Sequence, residues 1–175
     1  ISLNDGSMTV DQGMIVGAWG QGDVTLANGS SVTTSDLYVG GFDATTTDLF
    51  DVHGPAEGTG EVTVTDETST LTAGRMFIGY SGTGTLNILN DATATSDVAL
   101  IGVTPDGVGH VVVENAPGTW TNTGSVVVGA YGEGDLTVRN NGHVAIGETL
   151  HIGGYDPEDV DDGGLDYAYD PDGAG

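Results

Sequence analysis

The apolar positions of this chain repeat as short alternating segments that end at a glycine. Six segments finish with an aliphatic residue followed by glycine, at Gly17, Gly40, Gly79, Gly102, Gly129 and Gly153. The spacings of 23, 39, 23, 27 and 24 residues give a base period near 23 with insertions, which is below the roughly 30 residues of a βαβ unit. Such a period predicts one coil of a stacked, strand-based repeat.

A second apolar pattern accompanies these segments and also predicts strands. Six triplets have apolar outer residues and, in five cases, a polar middle residue, which is the period-2 pattern of a strand with one buried face. The triplets are residues 1–3, 24–26, 62–64, 86–88, 111–113 and 136–138. No helical periodicity is present, so we expect the two strands of each coil to stack on their equivalents in neighbouring coils.

Glycine and Asx residues occupy fixed places in the links between these strands. A G-x-G pair, which permits positive φ and close approach at a tight corner, is shared by three links, AWGQGD, YSGTGT and AYGEGD. An Asx residue follows the second strand at a constant offset in all six copies: Asp5, Asn28, Asp66, Asn90, Asn115 and Asn140. These residues form either a side-chain ladder along the stack or separate turns, and the constant offset favours the ladder.

These patterns predict an all-β fold, a parallel β-helix (β-solenoid) of about six coils of roughly 23 residues. We expect a single domain over residues 1–175, with two acidic loop excursions at 41–61 and 154–175 and with both ends open. Because the sequence GGFD at 40–43 matches GGYD at 153–156, the excursions are expected to leave the rod at the same corner.

Charge and composition exclude several partners. The chain has 26 Asp and Glu residues against two cationic residues, Arg75 and Arg139, for a net charge of −24. Nothing in it could neutralise phosphates, so we expect no nucleic-acid partner. The absence of Cys excludes disulfides and thiolate metal sites. No apolar run approaches the ~18 residues of a membrane span, so no membrane insertion of this segment is expected.

One segment brings the repeated features together. Residues 119–147 have the sequence TWTNTGSVVVGAYGEGDLTVRNNGHVAIG, in which W-x-N-x-G, a VG strand end, a G-x-G corner, LTV and an N-G turn follow one another. This progression resembles the repeat of autotransporter (type V secretion) passenger domains and PEP-CTERM-associated surface proteins. The resemblance implies a right-handed parallel β-helix, export directed by a signal upstream of Ile1, and an extracellular or cell-surface structural role without catalytic residues.

Aromatic residues follow the strand-ending glycine at one distance in four coils: Trp19, Phe42, Tyr131 and Tyr155. An aromatic strip either binds sugar rings through its flat apolar faces or stabilises the corners, and two coils that break the strip favour the corners. A carbohydrate-binding module, less readily a carbohydrate-cleaving one, is therefore the alternative function, with surface polysaccharide as its partner.

Carboxylates are dense after residue 155. Two alternatives are equal there: a solvated acidic loop, and a Ca²⁺ site whose leading ligands are Asp156, Asp159, Asp161 and Asp162. No other cofactor is expected.

The four histidines share no metal-like spacing and no groove of cationic groups is evident, so we predict that the chain is not an enzyme.

Threonine pairs suggest one more surface. Pairs such as Thr63/Thr65 and Thr93/Thr95 are a feature of ice-binding faces, but they keep no constant offset from coil to coil. The sequence therefore gives this hypothesis little support.

The predicted function is structural. We expect an extracellular or cell-surface solenoid that stacks head to tail into a fibre, or forms part of a longer surface adhesin or passenger rod. Open ends would leave rows of N–H and C=O groups unpaired. Identical subunits joined end to end by strand addition would pair these groups and propagate as a filament.

Overall fold

The computed structural model describes residues 1–42, 57–115 and 118–154. In this part of the chain there is no helix, and so none that could cross a membrane. The strands, in chain order, are β1 (Ser2–Asn4), β2 (Ser7–Val16), β3 (Gln21–Ala27), β4 (Ser31–Val39), β5 (Thr59–Thr65), β6 (Thr70–Ile78), β7 (Thr83–Leu89), β8 (Thr93–Ser96), β9 (Val98–Ile101), β10 (Val108–Glu114), β11 (Thr119–Asn122), β12 (Val126–Val128), β13 (Glu133–Arg139), β14 (His143–Ile146) and β15 (Leu150–Ile152).

The strands form two parallel sheets around one apolar core. Sheet A has six strands in the order β1-β3-β5-β7-β10-β13. Sheet B has nine, because β2, β4 and β6 are long strands whose equivalents in the later coils are divided at a bend. The chain alternates between the sheets and forms a β-solenoid of about five turns, with six stacked strands in sheet A, which confirms the predicted all-β parallel solenoid. The right-handed sense stays a prediction.

Sheet A stacks the predicted triplets in register. Two inward columns run along it, one with Leu3, Leu26, Val64, Ile88, Val113 and Val138 and the other with Val24, Val62, Leu86, Val111 and Leu136. From Val24 to Val113 their members are at most 3 % exposed. The predicted alternation of buried and outward positions is confirmed, and the core follows directly from it.

Sheet B aligns the six aliphatic-Gly segments in the same way. Its inward columns near the corner are Met14, Leu37, Met76, Ala99, Val126 and Leu150, then Val16, Val39, Ile78, Ile101, Val128 and Ile152. The glycine that ends each segment has φ between +67° and +76°, a conformation that costs glycine little because it has no Cβ. The six glycines therefore turn the chain from one sheet toward the other.

The corner that leads into sheet A leaves no room for a side chain. Gly60 and Gly84 occupy one register position with Gly22, Gly109 and Gly134. A Cβ on Gly84 would lie 2.1 Å from the carbonyl oxygen of Val39, and a Cβ on Gly60 would lie 2.2 Å from that of Val16. Backbone meets backbone at this corner, which is why glycine recurs there.

The G-x-G corner occurs in two more links than the sequence pattern indicated. Gly58/Gly60 and Gly107/Gly109 take the same register positions as the three predicted pairs. The first of these pairs lies within the predicted excursion at 41–61, and β5 already begins at Thr59. That excursion therefore ends earlier than predicted, because the corner geometry draws residues 59–61 into the rod.

Both predicted excursions begin at a pair of left-handed glycines. Gly40 and Gly41 have φ of 74° and 88°, and Gly153 and Gly154 have φ of 76° and 67°. Both pairs follow the same register position of sheet B, after Val39 and Ile152. The two segments thus leave from equivalent positions, and their further course lies outside the described residues.

We expect Gly84→Ala to destabilise the solenoid by about 3 kcal/mol, because its Cβ would overlap backbone that cannot move without breaking the stack. Gly20→Ala is the matched control, since that glycine has no positive φ and nothing within 4 Å of its Cβ position. Melting followed by circular dichroism measures both. Equal melting temperatures for the two variants would contradict the account of the corner.

Candidate functional site

Core-lining positions are exposed on the last rungs that the structure describes. Val138, Leu150 and Ile152 are 45 %, 44 % and 76 % exposed, whereas their register partners Val113, Val126 and Val128 are at most 8 % exposed. The first rung forms the opposite end face of the solenoid. There Ile1, the residue before β1, is 70 % exposed, and the next residue, Ser2, pairs with Thr25 of β3. The core columns therefore open to solvent at both faces of the described solenoid.

The same rungs carry unpaired strand edges. Among the described residues β1 pairs with β3 alone, β13 with β10 alone, and β15 with β12 alone. A strand with a free edge presents N–H and C=O groups that can pair with a further strand. Each end face thus combines an apolar cross-section with a backbone that can accept another coil, and this combination is the candidate functional site.

The six predicted Asx residues lie at one turn of the solenoid. All of them have positive φ, between 50° and 76°, which Asn and Asp tolerate better than other non-glycine residues. Part of the column is also bonded between coils: Asn115 Nδ2 donates to Asn90 Oδ1 at 3.1 Å, and the Asn28 backbone N–H donates to Asp66 Oδ2 at 3.4 Å. All six residues therefore share the left-handed turn conformation, but only some neighbouring members of the column are hydrogen-bonded to each other. The six are Asp5, Asn28, Asp66, Asn90, Asn115 and Asn140.

The described members of the predicted aromatic strip do not form an exposed row of rings. Phe42 is only 3 % exposed and meets Trp19 edge-on, with ring centroids 5.1 Å apart and an interplanar angle of 83°. Trp19 is 40 % exposed, Tyr131 packs against a buried cluster, and Tyr155 lies outside the described residues. Phe42 and Trp19 therefore pack together at the corner, while carbohydrate binding by the strip stays a prediction.

A second apolar cluster lies on the outer face of sheet B. It contains Phe77, Leu100 and Val127, at most 8 % exposed, and Tyr38 stacks on Phe77 with centroids 4.7 Å apart. The alternating pattern of the strands does not by itself predict this cluster. One feature of the sequence does point to an apolar outer face. The middle residue of the aliphatic-Gly segments, which faces outward, is apolar in five of six copies, whereas the middle residue of the sheet A triplets is polar in five of six.

The W-x-N-x-G motif has a structural role. Trp120 and Asn122 lie at most 1 % exposed inside the solenoid, and both donate to Ser96 Oγ of the neighbouring coil, at 3.0 and 2.8 Å. Ala94 stands opposite Trp120 in the register, where its small size leaves space for the indole ring. The motif therefore joins two coils through a buried hydrogen-bonded group.

Both arginines of the chain pair with an acid on the adjacent rung. Arg75 holds Asp36 through two bonds of 2.6 Å, and the two residues are register partners of β4 and β6. Arg139 pairs with Glu114, its register partner on β10. The two cationic side chains thus act between rungs of the rod.

The proposed Ca²⁺ ligands Asp156, Asp159, Asp161 and Asp162 lie outside the described residues, and calcium binding stays a prediction. Within the described ranges no group of three or more His, Asp or Glu side chains could hold a metal ion.

Comparisons with known proteins identify a bacterial lipoprotein as a relative and give no fold assignment. Neither a protein-family model nor a solved structure matches the chain. Over 154 residues, 84 % of this chain, it is 30 % identical to a protein of Escherichia coli (strain K12) named "Uncharacterized lipoprotein YdeK". The chain spans only 10 % of the length of that relative.

We expect Arg75→Gln to lower the free energy of unfolding by about 1–2 kcal/mol, because a bidentate, partly buried pair is lost and Asp36 keeps its charge. Arg139→Gln is the control, with an expected change of about 0.5 kcal/mol or less, since Arg139 is 58 % exposed. Thermal melting at low and high salt compares the two variants. A larger loss for Arg139→Gln would contradict the assignment.

Proposed function

We propose that this chain is a structural β-solenoid module of a cell-surface protein, and that its end faces pair with further β-solenoid coils. The observation that supports this most directly is the exposure of Val138, Leu150 and Ile152, whose equivalents one rung earlier form the core. A further coil would bury these side chains, each worth roughly 1.5–3 kcal/mol when fully buried. It would also pair the free edges of β13 and β15.

The further coils can come from the same polypeptide or from a second copy. The relative supports the first arrangement, a longer surface rod or adhesin, because the matched region is one tenth of that lipoprotein. The second arrangement is a head-to-tail fibre, for which the two open faces are the supporting feature. In both arrangements, the end faces bury apolar side chains and pair their free strand edges with another coil.

The lipoprotein name of the relative supports a membrane-anchored or cell-surface location. The finer location that we propose is extracellular, with the rod projecting from the surface. The proposed role is mechanical and requires no cofactor: each coil satisfies the backbone hydrogen bonds of its neighbours, and the acidic coat keeps the rod soluble.

A carbohydrate-binding module remains the alternative function, and no described contact favours it. A glycan array tests it with the wild-type chain and a Trp19→Ala, Tyr131→Ala double variant. Saturable binding that the double variant loses would support the alternative.

We expect the purified chain to associate end to end, and Ile152→Asp to abolish this association, because a charge on the end face would oppose burial by another coil. Thr63→Asp is the control: it adds the same charge on the outer face of sheet A, away from the ends. Sedimentation velocity over a range of concentrations measures the effect, and Ile152→Asp should melt near the wild-type temperature because its side chain is 76 % exposed.

A wild-type sedimentation coefficient that is independent of concentration would exclude the fibre and leave the longer rod. Hydrogen exchange then tests the remaining proposal. Amides on the free edge of β13 should exchange much faster than those of β10, which has neighbours on both sides. Equal, strong protection in the monomeric chain would mean that the end face is already covered, and would contradict the proposal altogether.

A further inference from the structure

Two columns of hydroxyl side chains run along the outer face of sheet B. They lie in the part of the sheet that follows the Asx turn and precedes the bend, that is, at the start of β2, β4 and β6 and in β8 and β11. In each of five successive rungs, a Ser or Thr is followed by an apolar residue and then by a Thr. The register aligns the first members, Ser7, Ser31, Thr70, Thr93 and Thr119, and the second members, Thr9, Thr33, Thr72, Thr95 and Thr121. This surface is called the hydroxyl face below.

The register corrects the sequence-based expectation that threonine pairs keep no constant place. Thr9 lies seven residues before Val16, whereas Thr33 lies six before Val39. The difference arises from a register shift between Val10 and Gly13, beyond the hydroxyl face. The number of residues at the bend differs between coils, so the distance in sequence between the threonines and the strand end varies although the threonines align in the sheet. Of the pairs considered above, Thr93/Thr95 belongs to this face and Thr63/Thr65 to sheet A.

The hydroxyl face is exposed and regular. Thr33, Thr72 and Thr95 are exposed to solvent, while the residues between the two columns from β4 to β11 point inward and are at most 1 % exposed. Rungs of a sheet lie ~4.8 Å apart and alternate residues of a strand about 6.6 Å apart, so the face extends over about 19 Å along the axis. Branching at Cβ restricts each threonine to few χ1 rotamers. The hydroxyl groups are therefore held at repeated positions in two dimensions.

The threonine side chains of the second column take no part in hydrogen bonds within the ranges that the structure describes. Across the described residues, the hydroxyls of Thr9, Thr33, Thr72, Thr95 and Thr121 form no hydrogen bond to another protein group. These hydroxyls are available to solvent, each with one donor and two acceptor lone pairs.

Strand propensity alone does not account for this composition. On the outer face of sheet A, one column contains Asp23, Glu61, Thr85, His110 and Asp135, and the uncharged column beside it contains Ser2, Thr25, Thr63, Asn87, Val112 and Thr137. The hydroxyl face carries no charge at any of its positions over five rungs, although the chain has a net charge of −24. The hydroxyl face is thus distinguished by two adjacent columns that are both uncharged and made only of Ser and Thr, whereas on sheet A an uncharged column lies beside a charged one. This difference points to a neutral, regularly repeating partner.

We propose that the hydroxyl face binds ice. Ice presents water oxygens at fixed repeats in two dimensions, and rigid hydroxyl groups at fixed repeats can hydrogen-bond to such a layer. The methyl groups between them restrict the orientations of first-shell water, which favours an ordered layer. A charged surface would instead hold counterions and their hydration. Sugar recognition is less well supported, because the hydroxyl face has no aromatic platform.

Ice-affinity partitioning of the full chain tests this inference. We expect the wild-type protein to be incorporated into slowly grown ice, and a Thr72→Tyr, Thr95→Tyr variant to be rejected into the liquid, because two bulky rings on adjacent rungs would break the flat surface. The matched control is Thr25→Tyr, Thr63→Tyr, which places the same rings on adjacent rungs of sheet A and should be incorporated like the wild type. Circular dichroism checks that each variant is folded, and Thr33→Tyr replaces the double variant if that does not fold.

Rejection of the wild-type chain from ice to the same extent as serum albumin would overturn the inference, as would equal incorporation of the wild type and the folded hydroxyl-face variant. Pull-down with microcrystalline cellulose and chitin distinguishes the other class of partner. Polysaccharide binding that the hydroxyl-face variant loses, without incorporation into ice, would assign the face to a glycan and refute ice binding. Each result is independent of end-to-end association, which the face does not involve.

Discussion

Backbone-to-backbone contact at the glycine corners is the constraint on which the rest of this solenoid depends. Where the chain passes from sheet B to sheet A, the Cβ position of Gly84 lies only 2.1 Å from a carbonyl oxygen. Only glycine permits this approach, and the approach fixes the height and lateral position of each coil relative to the next. Parallel strands then meet in a single register, and every column of side chains follows from that register.

A shared register gives each position along the strands one environment throughout the rod. Inward columns become continuous apolar rows, and a change of size in one coil is balanced in the next, as Ala94 is beside Trp120. Outward columns become surfaces, and where neighbouring coils carry similar residues at one position, as on the hydroxyl face, that chemistry recurs about every 4.8 Å. The cross-rung pair of Arg75 with Asp36 depends on the same alignment. In this fold, local sequence differences act collectively because they are stacked.

The strands and inward columns could be predicted because alternating burial leaves a local pattern in the sequence. Other features depend on information that is not local. Gly58 and Gly107 were not identified as corner residues because they follow the strand-ending glycines Gly40 and Gly102 by 18 and 5 residues, whereas in AWGQGD the distance is 3. Backbone packing nevertheless gives them the same place. Phe42 satisfies the offset of an aromatic strip, but its burial against Trp19 is a property of the corner in three dimensions. The alignment of Thr9 with Thr33 is hidden by the register shift at the bend of β2. Sequence periodicity therefore predicts well which residues face inward. It predicts less well which outward residues of different coils lie next to each other.

Charge gives the solenoid a preferred direction of contact. The two arginines are engaged by acids on adjacent rungs, so they are poorly placed to neutralise a second acidic chain beside the rod. Like-charge repulsion acts over roughly 8 Å at physiological salt and opposes side-by-side association. The end faces differ, because Val138, Leu150 and Ile152 present apolar surface there, and the burial of apolar surface offsets part of that repulsion. The same distribution leaves the hydroxyl face neutral within an acidic coat. Corner glycines thus set the register, and the register separates charged from uncharged columns. In the arrangement that we propose, this separation favours coil addition along the axis and leaves the hydroxyl face as a neutral flank.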